Sequence, residues 1–194
     1  MESISQHVSA GASERELRAE LKKYLSILGK SCAYSSIKDE YIVFSEFPIG
    51  HGNVDFVVFT GRSRMEVILI EIKGANFNFV NNNDSIAVDI NLAAQQIRER
   101  FYVIKSNYEP FRRDVHAIRS SVENGAQKYN SFLGPTGYLR VDPNKDIDVS
   151  GVVIGGRTKE DIQESRIRHQ LELNSPKIQF ESWDSWLRKY AESN

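Results

Sequence analysis

Between Asn53 and Lys73 the sequence sets three ionisable side chains into strongly aliphatic surroundings: Asn53-Val54-Asp55-Phe56-Val57-Val58 on one side and Ile70-Glu71-Ile72-Lys73 on the other. Both runs are rich in β-branched and aromatic residues and flank a turn at Gly61-Arg62-Ser63-Arg64, so they read as a hairpin. With the turn centred on Ser63, cross-strand partners sum to about 126, which sets Asp55 opposite Glu71, Val57 opposite Leu69 and Phe59 opposite Val67. Directly paired β-carbons lie about 5 Å apart, so the two carboxylates repel unless a cation lies between them. Oxygen donors favour hard divalent ions, and the expected cofactor is Mg²⁺ or Mn²⁺. Lys73 falls on the same face two residues after Glu71, near enough to hold a water or a phosphate oxygen beside the ion. Such a site suits phosphodiester hydrolysis, with the metal lowering the pKa of a bound water and the lysine orienting it or neutralising transition-state charge. A plainer reading stands beside it. Glu-x-Lys can be a solvated ion pair and Asp55 a turn residue, which would make the chain a non-catalytic binding module.

Further candidates flank this hairpin. Ser13-Glu14-Arg15-Glu16 fits a capping box, and Leu17, Leu21, Tyr24, Leu25 and Leu28 recur at helical spacing up to Gly29. Glu16 is absorbed by the cap, whereas Glu20 flanks the apolar stripe and is the candidate third acid. A later helix begins near Asp89, with Ile90, Ala93, Ala94, Ile97, Phe101 and Ile104 on its apolar side. Gln96 and Arg100 run along its flank at i, i+4, placed to touch the site or a phosphate, and Gln96 joins the catalytic candidates. Residues 98–119 carry Arg98, Arg100, Lys105, Arg112, Arg113 and Arg119 against Glu99, Glu109 and Asp114, a local balance of +3. Arg100, Arg112 and Arg113 are the expected phosphate contacts if the substrate is DNA. Glu46 reads as exposed on its strand and His51 as a loop histidine; His7, His116 and His169 have no ligand spacing.

The chain that must position these residues has 194 of them, 40% hydrophobic and 26% charged, with a net charge of -1. That composition predicts one ordinary globular domain over residues 13–194, after a polar, frayed terminus at 1–12. It excludes a globally basic nucleic-acid binder, so any phosphate-binding surface is local. Cys32 is the one cysteine and permits no internal disulfide. The apolar runs are too short to cross a bilayer, and the start has no apolar signal-peptide core, so a cytoplasmic address is expected. Further strands are expected over 41–47 and 151–155. The end then reads helix near 159–174, strand through Ile178 and Phe180 and a short helix at Trp186, a parallel addition to the sheet. The stretch 134–150 is turn-rich. The fold class is α/β, a central mixed sheet flanked by helices.

Asp followed by 15 residues and Glu-x-Lys, framed by aliphatic strands and preceded by a helix carrying a glutamate, resembles the PD-(D/E)XK restriction-endonuclease-like superfamily. Within it the chain resembles the Shedu anti-phage nuclease family. The resemblance rests on Gly52-Asn53-Val54-Asp55-Phe56, Leu69-Ile70-Glu71-Ile72-Lys73-Gly74, Gln96-Ile97 and Val152-Val153-Ile154-Gly155-Gly156-Arg157, with Trp183-Asp184 where relatives have a Tyr-Asp-type turn. It implies metal ligation by Asp55 and Glu71, a carbonyl ligand from Ile72, and a Lys73 that assists the attacking water. It also implies a metal-dependent DNA endonuclease of anti-phage defence that acts as a homo-oligomer; the short apolar runs, separately, lead to no membrane partner being expected. Many relatives carry an N-terminal regulatory region, and only the nuclease module is expected here. A repair or Holliday-junction nuclease of the same superfamily is the alternative enzyme.

Overall fold

The computed structural model describes residues 2–33 and 37–192. In chain order the elements are α1 (Glu2–Ser9), α2 (Glu14–Lys23), α3 (Leu25–Cys32), β1 (Ile42–Ile49), β2 (Gly52–Thr60), β3 (Glu66–Ile72), α4 (Val88–Ser106), α5 (Tyr108–Glu123), β4 (Phe132–Leu133), β5 (Asp148–Ile154), α6 (Asp161–Asn174), β6 (Ile178–Glu181) and α7 (Trp183–Glu192). Six strands form one mixed sheet in the order β4-β1-β2-β3-β5-β6, so the α/β class and mixed sheet expected from the sequence are present. β1 and β2 pair antiparallel from Ile42↔Phe59 to Ile49↔Gly52, and β5 and β6 pair parallel from Gly151↔Ile178 to Ile154↔Glu181. None of the helices among the described residues is long and apolar enough to cross a membrane.

The chain divides into two compact units where the sequence reads as one domain. The first comprises Met1–Lys23, Ile70–Ile97 and Gly151–Asn194, the second Tyr24–Leu69 and Arg98–Ser150. Three of the crossings fall inside β3, α4 and β5, so no linker marks the division and no composition shift accompanies it.

In the first unit, α1 replaces the frayed terminus expected at residues 1–12. Its two apolar residues, Ile4 and Val8, are 0% and 1% exposed, and the Arg157 guanidinium donates to the Val8 carbonyl at 2.7 Å. Two apolar residues in eight, at i and i+4, are too few to register as a period, yet suffice for one buried contact line. The capping box is present in α2, where the Ser13 amide and hydroxyl donate to Glu16 at 2.8 and 2.7 Å. These bonds hold the Glu16 carboxyl below its usual range.

The second unit is built on an apolar cluster of Ile42, Phe44, Phe47, Val57, Phe59 and Leu69 from the strands with Ile104, Val115 and Val122 from the helices. Phe59 packs on Phe44 at 4.7 Å between ring centroids. Gly29 lies within α3 and does not end it as the sequence suggests: a Cβ there would meet the Tyr41 ring at 2.2 Å, so the glycine permits close approach. One polar group is out of keeping with this core. His116 on α5 is 6% exposed, and neither ring nitrogen has a hydrogen-bond partner. Burial, helped by the charges of Arg119 and Arg112, pushes its pKa below the ordinary value of 6.5. The unfolded chain therefore binds this proton first, and folding stability is lost as pH falls below 6.5 towards the lowered folded value. His116→Leu should flatten that part of a melting-temperature against pH curve while leaving stability at neutral pH equal or higher. An unchanged slope would place the acid sensitivity elsewhere.

Candidate functional site

Lys73 follows the last residue of β3, and its backbone is held on both sides. Its amide donates to the Ile154 carbonyl of β5 at 2.8 Å, and its carbonyl accepts from the Trp183 indole nitrogen at 2.8 Å. The next carbonyl, of Gly74, accepts from the Gly156 amide at 2.8 Å, while the Trp183 amide donates to the Gly156 carbonyl at 3.0 Å. Buried backbone groups require such partners, so the end of β3, the end of β5 and the start of α7 are fixed together. Packing tightens the arrangement. A Cβ on Gly155 would lie 2.7 Å from the Lys73 Cβ and 2.9 Å from Ile90 Cδ1, and one on Gly156, at φ +67, would lie 2.7 Å from the Phe79 nitrogen. Trp183 is fully buried, its ring against Trp186 at 5.7 Å.

Arg157 and Asp184 close the clamp. The Arg157 Nε donates to both Asp184 oxygens at 3.1 and 2.9 Å, and the Thr158 amide adds a bond of 2.7 Å. Burial raises the Asp184 carboxyl, but these hydrogen bonds and the Arg157 charge outweigh it and hold the pKa below its usual value.

The clamp aims a charged pair. Glu71 is 4% exposed, and the Lys73 side chain 12%. The Lys73 ammonium lies 3.2 Å from Glu14 of α2, and Arg18 holds the other oxygen of that carboxylate. Glu20, the glutamate singled out from the sequence, sits elsewhere on the same helix: it accepts from Ser3 at 2.5 Å and Lys23 at 2.6 Å. The bonds from Lys23 and then Ser3 lower its pKa despite burial. Gln96 is exposed on α4, and the contacts that surround Lys73 come from other elements.

In the second unit Asp55 lies within β2 and is 7% exposed. The register on either side, Ser45↔Phe56 and Phe47↔Val54, puts Glu46 across from it, with φ +55 where non-glycine residues are uncommon. Nothing in the local pattern marks that neighbour. Arg100 lies on the β1–β2 turn: a Cβ on Gly52 would come within 2.5 Å of its Nη2, and its Nε is buried without a partner. Arg112 is engaged by the chain itself, donating to Glu109 at 3.0 and 3.2 Å and to the Pro143 carbonyl at 2.5 Å. Arg113 is exposed, as is His51.

Among the described residues no group of three or more His, Cys, Asp or Glu is placed to hold a metal ion. Glu71 in the first unit and Asp55 in the second are each buried carboxylates, hard oxygen donors of the class that divalent ions such as Mg²⁺ take.

The family described as Shedu protein SduA, C-terminal, matches residues 11–187. The chain belongs to this family. No curated protein matches it. Shedu membership associates the chain with anti-phage defence and with a nuclease domain. The matched span includes both halves of the clamp, the Lys73-Gly74 segment and the Gly155-Gly156-Arg157 and Trp183-Asp184 pieces.

Both halves can be tested by stability. Gly155→Ala forces a Cβ against Lys73 and should cost about 1–3 kcal/mol. Trp183→Phe keeps a ring but orphans the Lys73 carbonyl, and should cost a similar amount, about 1–3 kcal/mol. Urea unfolding midpoints check both, and changes under about 0.5 kcal/mol, the range of neutral surface substitutions, would show that the contacts are slack.

Proposed function

We propose that this Shedu chain is a Mg²⁺- or Mn²⁺-dependent endodeoxyribonuclease of anti-phage defence. What supports the reading most is the pair at the end of β3: a buried carboxylate, Glu71, and two residues on a nearly buried ammonium, Lys73, whose backbone is hydrogen-bonded on both sides. Burying charge is costly, and folds retain such groups where they do chemistry. Asp55 and Glu71 would supply carboxylate ligands and Ile72 its carbonyl, an arrangement that rests on the sequence register and on the resemblance. When bound, the ion would polarise the scissile phosphate and lower the pKa of a water. Lys73 would hold that water or stabilise charge on the phosphorane-like transition state. Arg100 and Arg113 are the phosphate contacts of this reading; Arg112 would first have to leave Glu109.

Three variants test it. Asp55→Asn and Glu71→Gln keep size but remove charge, so both should abolish plasmid cleavage and weaken Mn²⁺ binding in calorimetry, while DNA binding and folding survive. Lys73→Met should retain metal yet lose on the order of a hundredfold or more in turnover. If all three cut as well as the parent, the site is elsewhere. Lowered melting temperatures with no cleavage by any form, the parent included, would favour a structural ion cluster.

One active site of this kind cuts one strand, so we further propose that the chain works as a homo-oligomer. Light scattering at assay concentration should give a multiple of 22.1 kDa. A monomer that makes full double-strand breaks would contradict this.

A further inference from the structure

The first unit brings together one more charged group than the hydrolytic reading uses. We infer that Glu14 is a positioning residue for Lys73, with Arg18 holding Glu14 in turn; the inference rests on the proposed nuclease function and deepens it. Glu14 reaches Lys73 through backbone contacts as well as charge. The Ala75 amide donates to the Ala12 carbonyl at 2.8 Å, which ties the start of α2 to the residues just after Lys73. Gly74 lies against the same place: a Cβ there would meet the Glu14 nitrogen at 3.3 Å and the Ala12 carbonyl at 3.4 Å. The Ser13–Glu16 box then fixes the first turn of α2, so the Glu14 side chain leaves from a rigid origin.

The three glutamates of α2 thereby divide their work. Glu16 closes the cap, Glu20 is held by Ser3 and Lys23, and Glu14 faces Lys73 at 3.2 Å, with Arg18 one turn along bonded to its other oxygen. Lysine has a flexible four-carbon stem, and an ammonium that must orient a water gains from a fixed partner. Stability is a poor explanation for the pair. The Glu14 side chain is 33% exposed, and ion pairs of that kind contribute at most about 1 kcal/mol. Orientation of a reacting group, by contrast, reads directly into rate.

Steady-state cleavage of a plasmid in Mn²⁺, with Lys73→Met as reference, tests this. Glu14→Gln should lower kcat about tenfold while KM, Mn²⁺ affinity and melting temperature stay near parental values, because the lysine is still present but no longer held. Glu14→Asp, which keeps the charge, should recover part of the loss, and Arg18→Met should show a smaller fall of the same type. Parental kcat in Glu14→Gln, with Lys73→Met inactive, would overturn the inference and leave the nuclease reading intact. Weakened Mn²⁺ binding would overturn it differently, by making Glu14 a ligand. Full activity in Lys73→Met would remove the nuclease reading of Lys73 and the inference together.

Discussion

The backbone of Lys73-Gly74 is the constraint on which the rest of the first unit depends. The Lys73 amide donates to the Ile154 carbonyl, the Lys73 carbonyl accepts from the Trp183 indole nitrogen, and the Gly74 carbonyl accepts from the Gly156 amide, so the segment's backbone is held at each of these groups. Side chains alternate along an extended strand, so fixing the backbone here fixes which way Glu71 and Lys73 point. The demands spread outward. Gly155 must be small because a Cβ there would lie 2.7 Å from the Lys73 Cβ, Gly156 must adopt positive φ beside Phe79, and Arg157 must reach Asp184 so that α7 starts where Trp183 can donate. The family's tail motif is in this sense part of the site, although none of its residues carries the proposed chemistry.

The charges that the clamp positions would be expensive as structural elements alone. Glu71 is 4% exposed, and burying a charge at that depth is costly unless it is paired or hydrogen-bonded. Lys73 finds its counter-charge in Glu14, from a helix whose first turn is itself capped. Stability does not account for the pair, since an ion pair with a third of one partner exposed contributes at most about 1 kcal/mol. Around the Lys73 backbone, Trp183, Ile154 and Phe79 are all fully or almost fully buried.

Much of this was legible in the sequence. The strands around Asp55 and Glu71 carry β-branched and aromatic runs with a turn between them, and the closing β5-α6-β6-α7 series shows its changes of period plainly. Four features were not legible, for physical reasons. α1 has only Ile4 and Val8 to mark it, and β4 is a two-residue edge strand below any pattern length. The division into two units runs through the middle of β3, α4 and β5, where sequence patterns report continuity. Glu14 was hidden because capping logic explains Glu16 and amphipathicity favours Glu20, whereas Glu14 earns its place through tertiary contacts of Ala12 and Gly74. Its Arg18 at i+4 is the one local sign.

The central proposal is that Glu71, at the end of β3, binds a divalent ion beside Lys73. Crystals grown with Mn²⁺ and a short DNA duplex, with data collected at an energy where manganese scatters anomalously, test it most directly. The account predicts an anomalous peak bonded to a carboxylate oxygen of Glu71, with the Lys73 ammonium near a phosphate oxygen or a water on that ion. A peak at other residues, or Glu71 and Lys73 bonded only to protein groups while DNA is bound and manganese is absent from them, would contradict it.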